Sequence, residues 1–71
     1  MDYIVIEIQT FEGGGVTTQA WRYEDELGAE AKYHSVLAAA AKSALPRHAA
    51  TMLAGDGSYV QHRCYEHGEL E

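Results

Sequence analysis

The sequence predicts an α+β fold, a ββαββ arrangement in which a four-stranded, mostly antiparallel sheet carries one helix packed on one face. Three features point there. The opening segment "DYIVIEIQT" alternates strictly between two kinds of residue, an alanine-rich middle segment carries helix start and stop signals, and two glycine-bearing turns divide the remainder into short strand-like runs. Residues 1–69 are expected to form one domain, with Leu70 and Glu71 reading either as native or as a cloning remnant.

In "DYIVIEIQT", Ile4, Ile6 and Ile8 fall on one side and Tyr3, Val5, Glu7 and Gln9 on the other, the period of a half-buried strand. The isoleucine row is expected to face the core. "FEGGG" follows and supplies the positive-φ positions of a hairpin connection. It is too short for a phosphate loop and leads into a strand instead of a helix. "VTTQAWRY" is the partner strand, with Val16, Thr18, Ala20 and Arg22 opposed to Thr17, Gln19, Trp21 and Tyr23.

The segment "EDELGAEAKYHSVLAAAAKSAL" is the helix. Asp25 suits the N-cap, Glu26 and Glu30 suit the positive N-terminal end, Lys42 suits the other end, and Pro46 stops it. "AATML" and "YVQHRCYEH" are the third and fourth strands, separated by the turn "AGDGS".

On a helical wheel Ala29, Tyr33, Val36, Leu37, Ala40 and Ala44 form one stripe, the expected core face, packing on the isoleucine row together with Val60 and Cys64. The opposite side carries Gly28, Ala31, Ser35, Ala38 and Ala39 and little charge. Alanine fills exposed helical positions well. Small residues also let a second backbone approach, so the same ridge is the expected interface of a homodimer or higher homo-oligomer. The length of 71 residues argues in that direction, because so small a core is marginal and the single Cys64 permits no internal disulfide.

A net charge of −6, with eleven acidic against five basic residues, argues against duplex nucleic acid as a partner. The chain contains no apolar run long enough for a membrane span and no signal-peptide pattern, so a cytoplasmic location is expected. With the isoleucines inward, Tyr3 and Val5 would face outward, and alternation would also place Trp21, Tyr23, Tyr59 and Tyr65 on the outer sheet face, with Arg63 among them. Such a face could stack a planar ring and hold an anionic group, with Arg22 and Arg47 as further cations. It would equally suit a sheet-to-sheet contact between subunits.

His62 and Cys64 point the same way on a strand, but their spacing matches no zinc pattern, so no metal site is assigned. No cofactor is implied. Cys64 beside His62 lacks an evident oxyanion donor, and Glu24, Asp25 and Glu26 are explained by the helix start, so no catalytic residue is assigned and the chain is not expected to be an enzyme.

The blocks "YIVIEIQT", "AEAKYHSVLAAAAKS", "PRHAATML" and "CYEH" together resemble a family of small uncharacterised prophage-encoded proteins of gut bacteria, over nearly the whole chain. The resemblance implies a phage protein made in the cytoplasm of the bacterial host. Two roles follow from that context. One is an anti-defence homo-oligomer that sequesters an anionic nucleotide-like signalling molecule. The other is a protein–protein interaction or assembly factor from a phage tail or lysis region. Neither role carries an assigned catalytic residue over to this sequence.

Overall fold

The computed structural model describes residues 1–67; Leu70 and Glu71 lie outside the described residues, as does the end of the expected 1–69 domain. The expected ββαββ order is present: β1 (Tyr3–Thr10), β2 (Val16–Tyr23), α1 (Glu26–Ala41), β3 (Arg47–Ala54) and β4 (Tyr59–Glu66). The strands form one antiparallel sheet in the order β2-β1-β3-β4, so the first strands of the two hairpins lie side by side. Among the described residues no helix is long and apolar enough to cross a membrane.

Local chemistry explains each boundary. Gly13 and Gly14 take positive φ (91° and 96°) in the first hairpin, and Gly57 does so (92°) in the second. The second turn is tied by Asp56, whose carboxylate accepts from the Ser58 hydroxyl (2.7 Å) and backbone N–H (3.0 Å). These bonds hold its carboxyl below the ordinary carboxylate value. Asp25 caps α1, accepting from Gly28 N–H at 2.8 Å. The helix ends at Ala41, with Lys42 N–H donating back to Ala39 and Ala40, four residues short of the expected end at Leu45. Ala44 is accordingly exposed and outside the core. The Ala40 carbonyl at this frayed end accepts from His67 Nε2 (2.8 Å), while the His67 backbone N–H donates to Pro46 (2.9 Å), so the end of β4 is pinned to the end of α1.

The core lies between α1 and the sheet. Ala29, Tyr33 and Val36 pack on Val5, Ala50 and Met52, with Tyr3, Trp21, Tyr23 and Leu37 around them. Thus the helix wheel is correct through Ala40, but the facing of the sheet is the reverse of the expectation. Val5, not the isoleucine row, lies beneath the helix, and Ile4, Ile6 and Ile8 occupy the outer face with Leu53, Cys64 and Val60. The physical reason lies in β3. On the helix side its Ala50 and Ala54 are small enough to admit the helix and Tyr33, and the aromatics of β1 and β2 close around that gap.

Gly28 has an intramolecular explanation. A Cβ there would meet Asp25 Oδ1 at 3.0 Å and Tyr23 Cδ1 at 3.3 Å, so the residue leaves room for the cap and for the aromatic that supports it. The rest of the expected interface ridge, Ala31, Ser35, Ala38 and Ala39, is solvent-exposed on the single chain.

Candidate functional site

The helix does not cover its side of the sheet evenly. Sitting mainly over β3 and β1, it leaves the helix-side residues of the edge strand β4 open along its flank. Alternation from the Met52–Gln61 and Ala50–Arg63 pairings places Gln61, Arg63 and Tyr65 along this flank. Gln61 is anchored by its amide, which reaches Met52 Sδ at 3.6 Å. Arg63 lies over the Tyr65 ring with Cζ 4.8 Å from its centroid, and the other stacking partner of Tyr65 is His67, nearly parallel at 6.1 Å.

Tyr33 supplies the helix wall of the groove. Its ring belongs to the core, and burial raises the hydroxyl above the ordinary tyrosine value. Nearby Tyr59 adds to that shift, Arg63 opposes it, and Tyr65 adds a smaller contribution. All three β4 side chains are therefore within electrostatic reach of the Tyr33 hydroxyl. Arg63 is distinctive among the three arginines: Arg22 pairs with Asp2 (2.5 Å) and Arg47 with Glu66 (3.6 Å), whereas no carboxylate among the described residues pairs with Arg63. The flank thus offers one guanidinium without a described carboxylate partner, together with tyrosine hydroxyls, a set suited to an anion, while the Tyr65 ring is already stacked with Arg63 and His67.

The six residues expected to bind a ligand are therefore divided. Arg63 and Tyr65 come together on the helix side of β4, whereas Tyr59, exposed, lies beyond the register shift at Met52/Leu53 and pairs with outer-face Leu53. Trp21 lies on the same side of the sheet but on the far edge strand, roughly 14 Å away at ordinary strand spacing. There it is half-buried, with Lys32 Nζ 3.9 Å from its ring centroid. Arg22 and Arg47 lie on the opposite face, at diagonal corners, each with its own carboxylate. The expectation of an open aromatic sheet face is corrected by the same reversal that buried Val5: Tyr3, Trp21 and Tyr23 pack under the helix.

Sequence reading also missed a buried polar pair on the helix side of the sheet, next to Tyr65. His48 is paired in register with Tyr65, and its Nε2 is 2.6 Å from Glu7 Oε2, with side-chain exposures of 5% and 13%. His48 Nδ1 is buried without a hydrogen-bond partner. Glu7 faces the helix because it shares the parity of Val5, and His48 does so because it shares that of Ala50 and Met52. The only legible signal was that both belong to the same-parity rows once the facing is known.

Among the described residues no three His, Cys, Asp or Glu side chains come together in a metal-binding arrangement. His62, hydrogen-bonded to Thr51 at 3.2 Å, and exposed Cys64 lie on the outer face, away from His48. Comparison with known proteins returns no relative: no family model, no curated protein and no solved structure matches the chain.

Proposed function

We propose that this chain is a non-enzymatic binding protein whose groove between α1 and β4 takes a small ligand bearing an anionic group and a planar ring. The observation that carries the reading is Arg63: on a chain of net charge −6 it has no described carboxylate partner, and it lies on Tyr65 within electrostatic reach of the Tyr33 hydroxyl. The guanidinium would hold the anion through charge-assisted hydrogen bonds, and the exposed Tyr59 would stack the ring, since Tyr65 is already stacked with Arg63 and His67 and the Tyr33 ring is in the core. The prophage resemblance of the sequence adds the biological setting, a phage protein in the bacterial cytoplasm that sequesters a nucleotide-like signalling molecule to counter host defence.

Calorimetric titration with cyclic nucleotides and nicotinamide-dinucleotide-derived signals tests this. A binder should be found in that set, and Arg63→Ala should weaken it by about 1.5–3 kcal/mol, the usual value of a hydrogen bond to a charged group. That corresponds to roughly ten- to a hundredfold in Kd. Arg22→Ala, on the other face, should leave the affinity unchanged. No binding across the set, or equal losses from the two arginines, would refute the assignment.

The second role, protein–protein interaction, draws on a different observation: the apolar outer face of the sheet.

A further inference from the structure

The outer sheet face presents the row Ile4, Ile6 and Ile8 with Ala20 and Leu53 beside it and with the uncharged Thr18 and Thr51, and His62, among them, and no described element lies over it. An open face of an antiparallel sheet ordinarily carries polar residues. We infer that this face is the contact surface of a homodimer, in which two copies stack sheet against sheet with their helices outermost.

Two properties of the face select a second copy as its occupant. The first is area. Four strands about 4.8 Å apart and eight residues long cover roughly 19 by 27 Å, about 500 Å². Two copies therefore remove on the order of 1,000 Å² from water, the size at which a specific interface begins. A small peptide or a single side chain would leave most of that surface wet.

The second is charge. The chain carries a net −6, yet the charged residues of this face are Arg22 with Asp2 and Arg47 with Glu66, each pair neutral within itself and set at a corner. The negative excess sits on the helix, its entry and the turns, through residues such as Glu24, Glu26, Glu30 and Asp56. Two copies that repel one another through those acidic regions meet no net charge when they approach through this face. Face-to-face sheets pack about 10 Å apart with interdigitating side chains, which the branched isoleucine row suits.

The inference is independent of the ligand reading, because the α1–β4 groove lies on the other side of the sheet. Light scattering over a range of concentrations should give twice the 7.8 kDa chain mass. Ile6→Lys should return the mass to that of one chain while far-ultraviolet circular dichroism is retained, since the lysine is then solvated on an open face. Ala38→Glu on the helix ridge should leave the dimer intact, and so should Arg63→Ala.

A readout that needs no substitution uses Cys64, an exposed thiol on the same face. Its reaction with a maleimide should slow as protein concentration rises and dimer forms. A single-chain mass up to the millimolar range, a dimer that survives Ile6→Lys, dissociation by Ala38→Glu, or a thiol whose reactivity ignores concentration would each overturn the inference. Loss of ligand binding in Arg63→Ala with the dimer unchanged would separate the two sites.

Discussion

Replacing Glu7 with alanine tests the buried pair directly. In the folded chain the Glu7 carboxylate meets His48 Nε2 at 2.6 Å, both side chains are almost wholly out of water, and His48 Nδ1 already lacks a partner. Glu7→Ala therefore leaves both ring nitrogens of a buried imidazole unsatisfied. Removing one member of a buried pair costs about 3–5 kcal/mol. A domain of 71 residues has about 4–11 kcal/mol in total at ~0.05–0.15 kcal/mol per residue, so the variant should sit close to unfolding. Glu7→Gln keeps a hydrogen-bonding partner and should lose only about 1–2 kcal/mol. The double change Glu7→Leu with His48→Leu should recover most of the loss, because nothing polar is then left unpaired. Urea denaturation at one fixed protein concentration, followed by the fluorescence of Trp21 against the core, reads all three. A loss below about 1 kcal/mol for Glu7→Ala, or a double variant no more stable than Glu7→Ala, would refute the reasoning.

Two further substitutions follow from the same structure. Gly57→Ala places a side chain at φ +92° with no neighbour within 4 Å, so its cost is backbone strain alone, about 1–2 kcal/mol by urea denaturation. Equal stability of the two forms would mean the turn does not hold that conformation. Tyr33 has a hydroxyl value raised above 10.0, so the folded chain keeps a proton that the unfolded chain gives up. Its contribution is complete below about pH 10 and is lost as pH climbs through the raised value. Tyr33→Phe should therefore flatten the decline in stability on the alkaline side, and a decline as steep as in the unsubstituted chain would count against burial as the cause.

The elements were legible because each has a short-range signature. The alternation of β1, the Asp25 cap and the glycine turns all depend on residues within a few positions of one another, and the structure keeps them. The helix stop was less legible. Pro46 forbids continuation, yet α1 ends at Ala41, where Lys42 folds back and His67 satisfies Ala40 from the far end of β4. That second contact spans 27 positions and leaves no local trace.

The candidate site was half legible for a related reason. Arg63 and Tyr65 are two apart on one strand, so strand geometry alone placed them together. Tyr33 was assigned only to the core, because the wheel shows which side of a helix is buried but not that its hydroxyl lies within electrostatic reach of β4. Trp21 was grouped with them by parity, and parity does not count the two strands that intervene.

What the sequence determined by itself was partition: a period of two divides every strand into two rows, and Ile4, Ile6 and Ile8 stand together wherever the strand lies. Which row meets the helix was decided only in three dimensions. Both rows of β1 are apolar enough to be buried, and the choice fell to the small Ala50 and Ala54 of β3, which admit Tyr33 and the helix backbone where the branched isoleucines and Leu53 would hold them off. That one packing decision placed the aromatics under the helix, drew Glu7 and His48 inside, and left the isoleucines facing out.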